Sequence, residues 1–151
     1  MASNFQRTLQ LSELIKKKPF FLLGPRATGK NTLIRTQLSD ARVYDLLDAD
    51  VFARLARRPQ ILGEESDDDA RVVVIDEVQK LPSVLDEVHR LIEKKRLRFV
   101  LTGSSARKLK HGGANLLAGR AWQAALLPLT SQEIPKFDLL THLNRGGLPG
   151  I

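Results

Sequence analysis

The residues best suited to chemistry lie between Gly24 and Thr32, where glycines and a lysine stand at a fixed spacing. The segment contains the pattern G-x-x-x-x-G-K and reads Gly24, Pro25, Arg26, Ala27, Thr28, Gly29, Lys30, Asn31, Thr32. Glycine lets a backbone turn so that successive N–H groups face inward and donate to phosphate oxygens. With Lys30 placed to reach the β- and γ-phosphates, the pattern predicts a nucleotide-binding loop, although a glycine-rich connection can also be a simple turn.

Asn31 departs from this pattern. The residue after the lysine is normally Ser or Thr, whose hydroxyl binds Mg²⁺. A carboxamide oxygen can also approach Mg²⁺, but the side chain is longer than serine's and Mg²⁺ tolerates little displacement of its ligands. Thr32 comes one residue late, so on a helix it points about 100° away. The segment therefore predicts nucleotide binding more strongly than it predicts hydrolysis.

Two acidic residues, Asp76 and Glu77, follow the β-branched run of residues 72–75, which is typical of a strand buried on both faces. Asp76 could hold Mg²⁺ through its hydration shell, and Glu77 could orient the water that attacks a γ-phosphate. An acidic residue after a strand is also a common helix N-cap. Because the lysine loop precedes it in the same chain, we favour the catalytic interpretation.

Polar residues and one arginine complete the candidate set. Thr102 and Ser104 follow the buried run of residues 98–101, where they could sense the γ-phosphate or simply form a turn. Arg120 is an isolated cation among small and apolar residues. It could stabilise charge that develops on the γ-phosphate, in its own subunit or in a neighbouring copy, or it could form a structural ion pair.

The elements that must position these residues alternate between strand and helix. The sequence predicts an amphipathic helix over 6–17, a capped helix start at Thr130 and a short helix over 137–143, with a mobile acidic loop at 64–69 that has no hydrophobic anchor. Strands are predicted at about 20–24, 43–47, 71–76, 98–102 and 122–127, with helices at about 30–39, 50–57, 83–95 and 113–118. This alternation predicts a single α/β domain over residues 1–151, built on a parallel sheet with helices on both faces.

The amino-acid composition excludes some kinds of site and leaves others open. The chain has no cysteine, which excludes disulfides and thiolate metal sites. It has no apolar run long enough for a membrane span, so we expect a cytoplasmic protein. Residues 1–63 carry 11 Lys and Arg against 5 Asp and Glu, so most of the net charge of +7 lies beside the lysine loop. That charge can steer a nucleotide as readily as a nucleic acid, and direct nucleic-acid binding is a secondary hypothesis.

Five segments together resemble the AAA-type ATPases of bacteria and archaea that carry a GPRxTGK P-loop: GPRATGK, VVIDEVQKLP, FVLTGSSARKL, NLLAGRA and LPLTSQEI. The resemblance spans about residues 5 to 151. It implies binding of ATP with Mg²⁺ and hydrolysis by an AAA-like core. Residues 24–32 match the P-loop, Asp76 and Glu77 the acidic motif, residues 102–105 the polar strand end, and Arg120 the arginine of the LAGR motif. Members of this family usually continue into a C-terminal domain of uncharacterised function.

Two functions from different classes follow. In the first, the protein hydrolyses ATP and couples hydrolysis to a conformational change, as a homo-oligomer if Arg120 acts on a neighbour's nucleotide. In the second, it is a nucleotide-binding switch or remnant that turns ATP over poorly because Asn31 replaces the usual Mg²⁺ ligand.

Overall fold

Short runs of buried residues form one parallel sheet. In the computed structural model, which describes residues 5–66, 72–95, 97–111 and 116–149, the five strands are β1 Phe20–Leu23, β2 Arg42–Asp45, β3 Val72–Asp76, β4 Arg98–Gly103 and β5 Trp122–Ala125. Their order across the sheet is β2-β3-β4-β1-β5, and every neighbouring pair is parallel. All the carboxyl ends therefore meet at one edge, where open α/β sheets bind ligands.

Helices cover both faces of this sheet. They are α1 Leu11–Lys17, α2 Lys30–Gln37, α3 Ala49–Arg57, α4 Ile61–Glu64, α5 Val84–Lys95, α6 Ala106–His111 and α7 Leu139–Arg145, with 3₁₀ turns at Val78–Lys80 and Leu116–Gly119. None of the described helices combines the length and the apolar character that a membrane span needs. The predicted fold class is confirmed.

Alternation of side chains along each strand divides the core into two clusters. Phe20 and Leu22 of β1 pack with Leu11 and Ile15 of α1 and with residues of α2 on one face. Phe21 packs on the other face, in a cluster that includes residues of α3, α4, α5 and α6. Burial on both faces explains why the central strands read as continuous apolar runs.

The N-terminal segment differs from the prediction, because α1 begins at Leu11 and not at residue 6. The preceding residues are held by the other end of the chain. The Thr8 backbone N–H and hydroxyl each donate to Glu133 Oε1 at 3.0 Å, and the buried Arg7 guanidinium donates to the Leu127 carbonyl. These long-range contacts replace the helical hydrogen bonds that the apolar pattern predicted.

The helix predicted from Thr130 is also wrong. Its capping contact is present, since the Glu133 carboxylate accepts the Thr130 N–H at 3.0 Å, but the chain continues as turns. Pro135 follows at once and lacks the N–H that the next helical hydrogen bond would need. The following helix, α7, begins at Leu139 after Asp138, whose carboxylate accepts the Thr141 N–H at 2.8 Å.

Three further segments differ from expectation. The acidic loop is held by polar contacts where it is described, because Glu65 accepts a hydrogen bond from Tyr44 at 2.8 Å and pairs with Arg42 at 3.5 Å. Residues 67–69 of that prediction, and residues 113–115 of the predicted helix near 113–118, lie outside the described residues. The strands predicted over 43–47 and 122–127 end at Asp45 and Ala125. The short helices α4 and α6 were not predicted.

Candidate functional site

The loop between β1 and α2 lies at the carboxyl edge of the sheet. Gly29 has φ +90° and ψ +23°, a left-handed conformation that favours glycine, and α2 begins at the next residue. Gly24 is required for a different reason, because a Cβ at this position would lie 2.1 Å from the Leu126 carbonyl oxygen. The two glycines thus permit the turn and the close approach to β5 that bring the start of α2 to the edge of the sheet.

Lys30 is buried inside this loop. Its side chain turns back so that Nζ donates to the carbonyl oxygens of Gly24 at 2.7 Å and Pro25 at 2.9 Å. Burial lowers the pKa of Lys30, while the nearby carboxylates of Glu77 and Asp76 act in the opposite direction. The two acids of the second motif are therefore close enough to the lysine to influence its charge, as their positions in the sequence predicted.

Asp76 and Glu77 are joined through one hydroxyl group. The Thr102 side chain donates to Asp76 Oδ1, and its oxygen accepts the backbone N–H of Glu77 at 3.0 Å. Burial raises the pKa of Asp76, and the charges of Asp45 and Glu77 add to this rise, while hydrogen bonds from Thr102 and Asn31 oppose it. Asp76 is thus a buried carboxylate in a locally negative environment, which a cation would stabilise.

Asn31 is one of the groups that face Asp76. It lies on the first turn of α2, is exposed, and lines the same cleft as Lys30 and Glu77. Its amide faces Asp76 and lowers the pKa of that carboxyl. The one irregular residue of the loop pattern therefore occupies the place from which a metal ligand would be expected to act.

The two polar residues at the end of β4 differ in their surroundings. Thr102 is fully buried and lies behind the acidic pair, where it holds Asp76 and the Glu77 backbone. Ser104 is partly exposed, but its hydroxyl oxygen is buried and has no hydrogen-bond partner among the described residues. A sensing role for these residues stays a prediction, and Ser104 is the better placed of the two.

Arg120 lies at the opposite edge of the sheet. Its backbone N–H donates to the Leu117 carbonyl at 2.9 Å, and two residues later the Trp122 N–H donates to the Pro19 carbonyl, just before β1 begins. The four residues of β1 separate that edge from the loop, a distance of about 13 Å at the usual rise per residue. Its Nε atom lies 2.9 Å from Glu93 Oε1. The structure does not bring Arg120 to Lys30 within one chain.

The protein surface has two clefts of similar volume, of which one is lined by the loop. The first has a volume of about 320 Å³ and is lined by Arg26, Ala27, Gly29, Lys30, Asn31, Thr32, Leu47 and Glu77. The second, of about 290 Å³, lies between the N-terminal segment and the region around α7, and its wall includes Phe5, Leu129, Ile134, Phe137, His142 and Leu148. Pro149, the residue after Leu148, would lie 3.7 Å from a Cβ at Gly29, so the chain that leaves the second cleft passes close to the loop. No motif in the sequence marked it, because its walls come from distant segments.

The donor set of the first cleft suits a hard cation, since Asp76 and Asn31 offer oxygen atoms. Among the described residues no group of three or more His, Cys, Asp and Glu could hold a metal ion by itself. The oxygen atoms of Asp76 and Asn31 fit Mg²⁺, which usually binds through one or two carboxylates together with the phosphates of a nucleotide.

Comparison with known proteins agrees with this geometry. No curated protein matches the chain. A family model described as an AAA domain matches residues 16–135, which include β1, the lysine loop, the acidic pair, the polar end of β4 and Arg120. This match supports an ATPase-like, nucleotide-binding function. Because it covers most of the sequence, the chain belongs to the AAA domain family.

Proposed function

We propose that this protein binds ATP at the loop of residues 24–30 and hydrolyses it with Mg²⁺. The observation that carries the proposal is the meeting of Lys30, Asn31 and Glu77 on one cleft, with Asp76 in contact with Asn31. A cationic group at the start of a helix and two carboxylates at the end of a strand match the main parts used for phosphoryl transfer, with the Asn31 amide in place of the usual hydroxyl.

The loop and the start of α2 would bind the phosphates. An ammonium group has three donors, and Lys30 uses two of them on the carbonyl groups of Gly24 and Pro25. Its third donor, or those two after a small shift, would serve a phosphate oxygen. The free N–H groups of the first turn of α2 add a partial positive charge at the same place.

The acidic pair, Asp76 and Glu77, would supply the groups needed for hydrolysis. Asp76 and Asn31 are the residues that would hold Mg²⁺, and the ion would neutralise phosphate charge. Glu77 lines the cleft, and its carboxylate would accept a hydrogen bond from the attacking water and orient it. Thr102 fixes both residues from behind, since its single hydroxyl contacts the Asp76 side chain and the Glu77 backbone.

The second cleft is suited to the base of the nucleotide. Leu148 on its wall directly precedes Pro149, which lies near Gly29 of the phosphate loop, and the cleft offers an aromatic ring, Phe137, together with the aliphatic side chains of Leu129 and Ile134. The Nδ1 atom of His142, which also lines this cleft, is buried and has no hydrogen-bond partner among the described residues. A cleft that combines apolar side chains with a few polar groups is typical of a site for a planar heteroaromatic group.

A nucleotide-binding switch with weak hydrolysis is the second candidate. The contact between Asn31 and Asp76 favours it, because the longer amide side chain occupies space beside the carboxylate that would serve the metal. Both candidates share the same binding site and differ only in turnover.

The test measures affinity for ATP and ADP by calorimetry, with and without Mg²⁺, and then phosphate release by the wild type and by Glu77→Gln. If the protein is an ATPase, Glu77→Gln should keep the ATP affinity of the wild type and lose most of its rate of phosphate release. Tight binding with equal, negligible phosphate release by both proteins would support the switch. No measurable affinity for either nucleotide would refute both candidates.

A further inference from the structure

Gln79 contacts the proposed catalytic glutamate. The Glu77 backbone is left-handed, with φ +58° and ψ +47°, and begins the 3₁₀ turn Val78–Lys80. Within that turn the Gln79 side chain folds back, and its Nε2 donates to Glu77 Oε2. One carboxylate oxygen of Glu77 is thereby held by its own chain, and the other is left to accept a hydrogen bond.

The chemistry of the two groups fixes the orientation of the Gln79 amide. An ionised carboxylate only accepts hydrogen bonds, so the amide must present its nitrogen to Glu77. Its oxygen, Oε1, is then buried and has no partner among the described residues. An unpaired buried acceptor lowers the stability of the fold. The hydrogen bond to Glu77 is therefore made although it leaves the oxygen atom of the same amide without a partner.

Gly103 provides the space for this amide. A Cβ at position 103 would lie 3.0 Å from Gln79 Oε1, closer than ordinary van der Waals contact. The carbonyl of the same glycine accepts the Gly24 N–H at 3.2 Å, at the start of the phosphate loop. Gln79 therefore lies between the proposed catalytic carboxylate and a residue that is hydrogen-bonded to the phosphate loop.

We propose that Gln79 is the positioning residue for Glu77. It fixes one oxygen of the carboxylate so that the other faces the attacking water, and it acts on the rate of hydrolysis and not on nucleotide affinity. This inference rests on the proposed function, since it assumes that Glu77 orients the water.

The experiment compares Gln79→Met, which keeps the length of the side chain but removes the donor, with Gln123→Met on the exposed edge strand β5. For Gln79→Met we expect kcat for ATP to fall about 10–100-fold, as for other groups that orient a catalytic side chain, with KM and nucleotide affinity changed less than about twofold. Gln123→Met should match the wild type. In a Glu77→Gln background, Gln79→Met should cause no further loss, because its effect acts through Glu77.

An unchanged kcat, a fall in affinity as large as the fall in rate, or a full further loss in the Glu77→Gln background would overturn the inference. If the wild type releases no phosphate, the proposed hydrolysis fails on its own. The contact is then tested by thermal unfolding of Gln79→Met, Glu77→Ala and the double variant. Non-additive shifts in Tm would support a direct hold of Gln79 on Glu77, and additive shifts would refute it.

Discussion

Arg120 and Glu93 form an ion pair at the amino edge of the sheet, with 2.9 Å between Nε and Oε1. Both side chains are about half exposed, at 44% and 52%, so solvent screens the pair and its contribution to stability is small. A guanidinium in this position can exchange Glu93 for another anion. Because the length of β1 separates Arg120 from the phosphate loop of its own chain, we propose that this anion is the nucleotide of a neighbouring copy.

Arg120→Ala should therefore slow hydrolysis about 10³-fold while leaving ATP affinity nearly unchanged, as for arginine fingers in related enzymes. Mixing this variant with Glu77→Gln tests whether the arginine acts on a neighbour, because the first keeps an intact site and the second keeps an intact arginine. Phosphate release by the mixture should exceed the sum of the two separate proteins. Glu93→Gln, the control, should not slow the reaction, and a mixture no more active than its parts would rule out action between copies.

Lys30→Ala should abolish nucleotide binding and also lower stability modestly. The buried ammonium donates to the carbonyls of Gly24 and Pro25, and removing it leaves both acceptors without that partner. Such a loss costs about 1–3 kcal/mol, which lowers Tm by several degrees without unfolding the chain. Calorimetry with ATP and a thermal melt measure the two effects. Lys80→Ala, at an exposed lysine, should change neither, and tight ATP binding by folded Lys30→Ala would refute the loop assignment.

Asp76→Asn should stabilise the protein near neutral pH and abolish Mg²⁺-dependent binding. Burial raises the folded pKa of Asp76 above its ordinary value of 3.8, so the folded chain binds this proton more tightly than the unfolded chain does. The corresponding stability is present below pH 3.8 and is lost as pH rises through the raised folded pKa. An amide at this position removes that loss, because it carries no charge.

Denaturant unfolding from pH 3 to pH 8 measures this effect. The curves for Asp76→Asn and wild type should converge at the acid end, separate as pH rises from 3.8 through the raised folded pKa, and stay apart above it, with the variant more stable. Asp40→Asn, at an exposed aspartate, is the control and should follow the wild type at every pH. A variant that is less stable than the wild type at neutral pH would show that the hydrogen bonds to the carboxylate outweigh the cost of its burial.

Much of the site could be predicted because its residues lie at or just after the ends of strands. Lys30 follows one buried run and Asp76 ends another, and parallel strands place such residues at the same edge. The position of Arg120 could also be predicted, since it stands two residues before β5, and the residues before a parallel strand lie at the opposite edge. The inward direction of Thr102 and the contact between Gln79 and Glu77 could not be predicted, because they depend on side-chain packing.

The second cleft could not be predicted for a different reason. Phe5 and Phe137 reach it from opposite ends of the chain, and the contacts of Glu133 with Thr8 hold the N-terminal segment there. No local pattern contains such a long-range contact. The apolar spacing of residues 6–17 therefore indicated a helix in a segment whose first part is held by tertiary hydrogen bonds.

Phe137→Ala should weaken binding of ATP and ADP about tenfold while leaving inorganic triphosphate unaffected, because the ring would contact only the base. Stacking of a base on an aromatic ring contributes about 1–3 kcal/mol to binding, and its loss corresponds to a tenfold weaker affinity. Competition between each ligand and a fluorescent nucleotide measures the affinities. Leu140→Ala, at an exposed residue of α7, is the control. Equal weakening of triphosphate and ATP would place Phe137 at the phosphates or in the structural framework, and not at the base.

The last prediction concerns Asn31, whose amide faces Asp76 and lowers the pKa of that carboxyl. Serine at this position would place a hydroxyl on a shorter side chain and leave room for Mg²⁺ beside the carboxylate, since the ion demands ligands at about 2.0–2.1 Å. Asn31→Ser should therefore strengthen Mg²⁺-dependent ATP binding and raise the rate of hydrolysis several-fold, while binding of the nucleotide without metal stays the same.

A Mg²⁺ titration of ATPase rate in the wild type and Asn31→Ser measures this, with Asn144→Ser on the exposed surface of α7 as the matched control. The Mg²⁺ concentration at half-maximal rate should fall in Asn31→Ser and stay at the wild-type value in the control. Because metal-free binding reports only the loop and Lys30, a change confined to the Mg²⁺-dependent part would assign the effect to the metal ligand. Equal rates and equal metal dependence in all three proteins would instead show that the amide oxygen of Asn31 is a competent ligand.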